Sequence, residues 1–519
     1  MVLKRGVSSV FVVVSAALAV LSHPTVLFGY HFPDLHFLAW FAYVPLFLVV
    51  LGKDGLLQFR RLFLFGTLFH LATMYWVYRA MNTFGGLSPF LSILVLLILC
   101  TAMTLYLTAP FLLSRLLQVS LKLSPFWTLP LLWVSFEWMR GHWPLGGLPW
   151  VQAGYSQAPW ISLIQIAEFT GVYGVTALVV WVNLGIVEVV NLIREKGRSQ
   201  ELGSRDRVLR TGFVALLMGG ILLFGHYSKQ DVEKALPQVP RVKIGLLQGD
   251  ISQADKWLPA KAREILLVHQ AMTREAMAQG AEITVWPEAS FPHDIALEIP
   301  WQVRLIGQFP KDVVVGAITT LGDQVYNSSV LLRPGGDLAG AYHKQHLVPY
   351  GEYIPLKSVL PFLRTLTDDV GEFNRGDAYV SLHSGRARIG SLICYEDIFP
   401  EISRHHTRAG ANLLINLTND AWYGDSSALP QHLSFSPFRA VENRRSLVRA
   451  TNNGLTASVD PLGRIRETLP PFGRGILFDD VSLVSLSTFY VRWGDVFVYG
   501  CMGIVGIMLL LGIMRKINP

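Results

Sequence analysis

The stretch Ile389-Gly390-Ser391-Leu392-Ile393-Cys394-Tyr395-Glu396-Asp397 carries an apolar run of strand length directly into a cysteine and two carboxylates. A short apolar run bounded by polar residues reads as a buried strand of a layered sheet. The chain has three cysteines, and the other two, Cys100 and Cys501, lie in long apolar stretches that read as membrane helices. Cys394 is therefore the single thiol of a water-soluble segment, with no disulfide partner in the same chain. Such a residue is either a reactive nucleophile or a small buried apolar side chain. Its surroundings decide between the two.

Outward from Cys394, the texture from about Val239 to Leu483 is that of an α/β domain. Apolar runs are short, β-branched residues are common, and Gly, Pro, Asn and Asp punctuate them. Strands are predicted at Val242–Gln248, Ile283–Trp286, Val313–Ile318, Asn327–Leu332, Arg388–Cys394, Asn412–Leu417, Leu447–Ala450 and Thr456–Val459. Ala260–Gln279 reads as an amphipathic helix, and Pro400–Ala409 as another with proline in its first turn. Strands alternating with helices, together with hairpin-like pairs, predict an α/β layered sandwich.

The remainder is far more apolar. Of 519 residues, 51% are hydrophobic and 16% charged, and the mean hydropathy is +0.39. Soluble domains carry about 25% charged residues, so much of this chain belongs in lipid. Eight segments approach the length of a spanning helix: 8–28, 36–52, 62–78, 88–112, 125–139, 171–193, 211–227 and 492–514. The first is read as an uncleaved helix because its run is long and further spans follow. The organisation expected is a membrane domain over 1–237, a soluble domain over 238–483, and an eighth span with a tail over 484–519.

Lysine and arginine set the orientation. One side collects Lys4, Arg5, Lys53, Arg60, Arg61, Arg115, Lys122, the cluster from Arg194 to Arg210, Arg515 and Lys516, whereas the other offers Arg79 and Arg140. Both termini are then cytoplasmic, and the soluble domain lies outside. The net charge of +7 is a topology signal and a possible contact with anionic lipid, not a nucleic-acid footprint. Glu137 and Glu168 lie near the outward ends of apolar segments, where carboxylates are functional candidates by default. With Arg140 one turn from Glu137, a structural ion pair is expected there.

Three stretches place a reactive group just after a strand, where α/β sheets bind ligands. They are Thr284-Val285-Trp286-Pro287-Glu288, then Tyr342-His343-Lys344-Gln345-His346 with Pro349-Tyr350-Gly351-Glu352 following, and Leu392-Ile393-Cys394-Tyr395-Glu396. A converging carboxylate, amine and thiol complete an acyl-transfer site. Glu288 can act as general base, Cys394 as nucleophile, and Lys344 as the cation that meets the oxyanion and favours the thiolate. His343 with His346, and His405 with His406, lack the cysteine or carboxylate set that would complete a zinc site, so no metal is expected.

Trp286-Pro287-Glu288, His343-Lys344 and Cys394-Tyr395-Glu396-Asp397 resemble the Glu-Lys-Cys segments of the nitrilase (carbon–nitrogen hydrolase) superfamily. Asn416-Leu417-Thr418-Asn419-Asp420-Ala421-Trp422 and Arg449-Ala450-Thr451-Asn452-Asn453-Gly454 fit the same pattern. Set between membrane helices, such a domain is similar over essentially the whole chain to the bacterial apolipoprotein N-acyltransferase family. The resemblance implies an αββα sandwich on the periplasmic side of the inner membrane, a monomer, and a ping-pong reaction with no cofactor. A phospholipid would acylate Cys394, and the N-terminal amine of a diacylglyceryl apolipoprotein would accept the acyl group. Glu352, Tyr395 and Glu396 resemble supporting positions, and Trp150 and Trp257 aromatic positions near the acyl site; packing or a salt bridge is an equal reading for each. The apolar run Ile354-Pro355-Leu356 through Pro361-Phe362-Leu363 reads as a lid against lipid or as ordinary core. Two alternatives remain at this stage: a membrane-tethered amidase in which water resolves the thioester, and a transporter or receptor that binds without chemistry.

Overall fold

The computed structural model describes residues 5–52, 55–195, 201–355 and 372–517. The chain forms two compact units. One comprises Met1–Tyr78, Phe90–Lys229 and Asp495–Pro519, the other Arg79–Pro89 and Gln230–Gly494.

The first unit is helical. Its principal helices are Arg5–Leu21, Val44–Val50, Gly55–Met74, Pro89–Leu121, Pro125–His142, Val172–Glu195, Glu201–Ala235 (whose last turns fall in the second unit) and Val496–Ile517. Each of the eight apolar segments thus falls largely on helix. Among the described residues, four helices are long and apolar enough to cross a membrane: Pro89–Leu121, Val172–Arg194, Arg205–Gln238 and Val496–Lys516. Val7–Leu21 and His36–Val50 are apolar but shorter. The first helix ends before Pro24, which cannot continue the hydrogen-bond ladder, and the chain enters a small hairpin, Val26–Leu27 with Tyr30–His31.

Between His36–Trp40, a single 3-10 stretch, and Val44–Val50 the backbone breaks. Asn183 repairs the break: its Oδ1 accepts from the Tyr43 N–H at 2.9 Å, and its Nδ2 donates to the Ala39 carbonyl at 2.8 Å. In an apolar surround a broken helix persists only where such partners are supplied. Small residues bring other helices close. A Cβ on Gly66 would lie 2.6 Å from Thr104 Cγ2, so the helices Gly55–Met74 and Pro89–Leu121 meet at this glycine.

The second unit is built on strands β1 (Arg241–Gln248), β2 (Ile283–Val285), β3 (Asp312–Leu321), β4 (Gln324–Leu332), β5 (Leu338–His343), β6 (Ser381–Ser384), β7 (Ala387–Ile393), β8 (Leu413–Thr418), β9 (Ser446–Thr451), β10 (Ala457–Val459), β11 (Ile465–Thr468) and β12 (Gly475–Ser482). One sheet runs β12-β1-β2-β3-β4-β5, with the two-residue strand Ile295–Ala296 also pairing β3; the other runs β11-β10-β9-β8-β7-β6. The central trios β1-β2-β3 and β7-β8-β9 are parallel, and the outer pairs antiparallel. β8 and β9 are buried along their whole length, as strands covered on both faces must be.

The two sheets face each other. Ser329 and Ser391 hydroxyls meet at 2.9 Å, and Thr451 donates to Gln248 Oε1 at 3.3 Å, across the interface. The helix Pro259–Ala278 covers the outside of the first sheet, and Pro400–Arg408 and Phe435–Asn443 the outside of the second, giving the expected αββα layering. Beneath the first helix, Leu247, Met272, Ala276, Trp286, Val313, Val315 and Val330 form a closed apolar core.

One close approach positions the loop after β2. The Gly316 carbonyl accepts from the Ser290 N–H at 2.8 Å, and a Cβ on Gly316 would fall 2.1 Å from the Pro287 carbonyl oxygen. Gly316→Ala must push the Pro287–Glu288 segment off the sheet, and overpacking of this kind costs about 1–3 kcal/mol. A melting temperature of the detergent-solubilised protein lowered by several degrees is expected; an unchanged one would show that the loop moves freely.

Candidate active site

β2 ends at Val285, and the next residue, Trp286, anchors the turn. Its indole donates to Thr273 Oγ1 at 2.8 Å and its ring stacks on His269. The chain then leaves the sheet, and Ala289 takes a φ of +45°. This delivers Glu288 into the protein, where only 7% of it is exposed. Its Oε1 accepts from Asn327 Nδ2 at 2.8 Å, and its Oε2 from the Asn419 backbone N–H at 2.9 Å.

Lys344 follows β5 and is almost wholly enclosed, 1% exposed. Its Nζ donates to Glu352 Oε1 at 2.9 Å and stands 3.7 Å from Glu288 Oε1. Asn327 also donates to Glu352 Oε1 at 3.0 Å, so one amide bridges the two carboxylates. Glu352 is fixed in turn by the Val348 N–H on its Oε2 at 2.8 Å. Burial alone would lower the lysine's pKa, but Glu352, Glu288 and Cys394 carry it well above the ordinary value. Lys344 is a permanent cation.

Cys394 stands where β7 turns sharply into a one-turn 3-10 helix, Cys394–Ile398, and its φ is +54°. A left-handed backbone at a non-glycine residue costs about 1–3 kcal/mol and persists only where its surroundings hold it. Strand–turn–helix strain of this type is how hydrolase folds present a nucleophile. Two groups hold it here. Asn416 Nδ2 donates to the Cys394 carbonyl at 2.8 Å. Glu396 accepts from the Ile393 N–H at 2.8 Å on one oxygen, and from the Gln345 and His346 N–H groups at 2.7 and 3.1 Å on the other. Tyr342 Oη donates to the same carboxylate at 3.1 Å. Glu396 thus ties the lysine's segment to the cysteine's turn. Burial raises its pKa to about 7, against the opposing backbone N–H groups. Tyr395 donates to the Leu347 carbonyl at 2.8 Å, and its ring lies 5.5 Å from Lys344 Nζ.

The Cys394 thiol feels Lys344 in the expected direction, but burial and Glu288 outweigh it. Burial pushes its pKa far up, Glu288 adds to this, and Lys344 only partly opposes them. At rest Cys394 is a neutral thiol, and becoming a nucleophile requires a base.

Sequence reasoning passed over several residues. Lys256 is 4% exposed and donates to the Glu288 carbonyl oxygen at 3.0 Å. Burial lowers its pKa to about 8, with Glu288 and Cys394 opposing. Its neighbour Trp257, the residue singled out above, is 49% exposed, with its ring 5.8 Å from the Lys256 ammonium. Behind the cysteine, Arg449 donates to Asp397 at 2.8 Å and to Asp420 at 2.9 Å, and His432 lies between the same two carboxylates at 2.8 and 3.0 Å. All four are fully buried. A charged residue inside a strand as apolar as Val448-Arg449-Ala450 was the visible signal; His432 carried none.

Trp150 is placed in the helical unit, buried with its ring 4.9 Å from that of Trp76. Leu356 through Leu363, most of the lid segment, lie outside the described residues; Ile354 is buried. Arg79–Pro89 belongs to this second unit, where Phe84 packs edge-on against Trp422 with ring centres 5.5 Å apart.

Taken together, a buried carboxylate, a buried ammonium and a thiol on a strained turn form one site, which can do acyl transfer through sulfur. The chain resembles known proteins over most of its length. A family model described as the apolipoprotein N-acyltransferase N-terminal domain matches residues 15–185, and one described as carbon-nitrogen hydrolase matches 243–489. Apolipoprotein N-acyltransferase of Geobacter metallireducens is 36% identical over 513 residues, 96% of this chain and 95% of that protein. Those of Chlorobaculum tepidum and Pseudomonas syringae pv. tomato are 30% and 32% identical, over 93% and 80% of this chain and 93% and 81% of their own lengths. Among solved structures, an amidase of the nitrilase superfamily from Nesterenkonia AN1 aligns with 50% of this chain and 98% of its own, at 21% identity and a TM-score of 0.38. The chain is an acyltransferase and belongs to the apolipoprotein N-acyltransferase family.

Proposed function

We propose that this acyltransferase moves a fatty acyl group from a phospholipid to the N-terminal amine of S-diacylglyceryl-cysteine on an apolipoprotein, through a thioester on Cys394. The observation that carries the reading is the geometry of the site: a cysteine on a strained turn, beside a carboxylate and an ammonium that share a 3.7 Å contact.

The reaction has two halves. Glu288 takes the thiol proton as sulfur attacks the ester carbonyl, and Lys344 meets the oxyanion. The carbon–oxygen bond breaks, the departing lyso-lipid oxygen receives the proton from Glu288, and the thioester remains. The lipoprotein amine then attacks the thioester carbonyl, Glu288 accepts the amine proton, and collapse expels sulfur, which takes that proton back. Glu352 and Asn327 act through Lys344 and Glu288, and Glu396 through the Cys394 turn; they are positioning residues.

The soluble domain, 238–483, is assigned to the periplasmic side of a bacterial inner membrane. The support is the collection of lysine and arginine in the loops of one side, which keeps both termini cytoplasmic. The membrane domain, 1–237, and the last span, 484–519, keep both lipid-anchored substrates in the plane of the bilayer. The active species is taken to be the monomer.

Incubation of the purified protein with phospholipid, followed by intact-mass measurement, is expected to show one added acyl group. The adduct should be labile to hydroxylamine, absent from Cys394→Ala, and cleared by a diacylglyceryl-cysteine peptide. Glu288→Gln should slow its formation by about 10²–10⁴-fold. No adduct with any phospholipid would overturn the thioester.

Lys256 supplies a second, pH-dependent result. Burial lowers the Lys256 pKa to about 8, so its charge is lost as pH rises through that value. The acylation rate should therefore carry a basic limb near pH 8 that is absent from Lys256→Met and moved to higher pH in Lys256→Arg. A limb that survives in the methionine variant would confine Lys256 to its bond with the Glu288 carbonyl.

A further inference from the structure

The helical unit contains a charged group that the acyl-transfer chemistry does not use. Arg140 lies in the last turn of the helix Pro125–His142, 7% exposed, and its Nη1 is buried with no hydrogen-bond partner. Glu137, one turn earlier, does not complete it. One Glu137 oxygen accepts from Trp133 Nε1 at 3.0 Å and from the Ala153 N–H at 2.9 Å, and the other from Thr176 Oγ1 at 2.8 Å. The ion pair expected from the sequence is replaced by these three donors, which arrive from the same helix, the following loop and the helix Val172–Glu195. Glu137 compensates charge from nearby but leaves guanidinium N–H groups unsatisfied.

Arg140 lines a cavity of about 20 Å³. A buried water needs about 10–15 Å³, so the cavity admits one oxygen-sized guest. Tyr43, His70 and Tyr106 share the lining with Arg140, and Phe69, Met103, Leu107, Pro110 and Phe136 make the rest apolar. His70 Nδ1 contacts Thr104 Oγ1 at 3.0 Å, and Tyr106 donates to the Trp143 carbonyl at 2.8 Å, so these two atoms already have partners. A buried guanidinium nitrogen left without an acceptor in such walls is unfavourable, and an oxyanion acceptor relieves it.

Aromatic residues flank the Arg140 end of the helix Pro125–His142. Trp143 is 66% and Tyr499 53% exposed, and Trp138 packs against Tyr499 with ring centres 5.6 Å apart. Tryptophan and tyrosine collect at the level of the membrane interface, where the abundant oxyanion is a phosphate.

We propose that Arg140 and its cavity form an oxyanion site that seats a phosphate oxygen, supplied by a phospholipid headgroup or by free phosphate. The site is independent of the thioester chemistry, and its test uses Cys394→Ala protein, which cannot become acylated. Native mass spectrometry of the full-length chain in detergent compares phosphatidylglycerol with a diacylglycerol of the same acyl chains. Retention of the phosphorylated lipid should exceed that of diacylglycerol, and Arg140→Gln should reduce the excess about tenfold or more, the worth of a charge-assisted hydrogen bond. Arg140→Lys should keep most of it. Competition by inorganic phosphate at comparable concentration would identify the free ion as the source; its failure to compete would identify the lipid. Should Arg140→Gln not fold, the melting temperature of the Arg140-containing protein gives the answer, since phosphatidylglycerol must raise it more than diacylglycerol does. Equal retention of the two lipids, or an excess that survives in Arg140→Gln, would mean that water alone fills the cavity and would overturn the site.

Discussion

The catalytic unit depends on one buried ammonium. Lys344 stands 2.9 Å from Glu352 and 3.7 Å from Glu288, and Asn327 bridges the same two carboxylates. Without the lysine, two carboxylates would sit in low dielectric with only an amide between them, and like charges so placed cannot both ionise. With it, and with Lys256 bonded to the Glu288 carbonyl, two negative and two positive groups share the pocket. Such an arrangement is not a source of stability, because desolvation cancels most of the attraction. What it confers is a fixed field at the place where an oxyanion would form, with no solvent left to reorganise.

A second balanced cluster does the same for the cysteine's turn. Arg449, held between Asp397 and Asp420, also donates to Asn416 Oδ1 at 3.1 Å, and Asn416 donates from its other end to the Cys394 carbonyl. A left-handed cysteine is therefore braced by a chain of hydrogen bonds that begins at a fully buried arginine. Burial raises the pKa of Asp420, but Arg449 and His432 bring it well below the usual carboxylate range, so the acceptor end of that chain is permanently charged. The strain at Cys394 is tolerated because these groups on β8, β9 and the turn itself over-determine it.

What the sequence made legible follows burial. The eight strands predicted from apolar runs are β1 to β4 and β7 to β10, the inner strands of both sheets. Those it left out, β5, β6, β11 and β12, are the four edges. β11 is exposed at every position, and edge strands carry polar residues that blunt pairing with other chains; periodicity detects a buried face, and an edge has little of one. The same reasoning explains the site. Glu288, Lys344 and Cys394 were visible because each follows an inner strand or sits in a marked motif. Asn327 and Lys256 were not, because their roles come from tertiary packing, which no local pattern encodes. At Asp255-Lys256-Trp257 the aromatic residue drew attention, yet it is the lysine that turns inward.

The neutral thiol bears on selectivity as well as on rate. A cysteine ionised at rest would react with any electrophile that reached it, since the thiolate is the reactive form. Here the charge on sulfur would arise only when an acyl carbonyl occupies the pocket and the developing oxyanion engages Lys344, so nucleophile and electrophile would be activated together. The same buried, charge-balanced enclosure bears on the second half of the proposed reaction. Water gains little from entering a pocket whose donors and acceptors are largely paired with one another, whereas an amine tethered in the bilayer arrives at high effective concentration. Thioesters already favour amines over water, and exclusion of solvent enlarges that preference. The helical unit presents a further case: Arg140, like Arg449, keeps a buried guanidinium nitrogen without a hydrogen-bond partner, and at Arg140 a small cavity stands beside it.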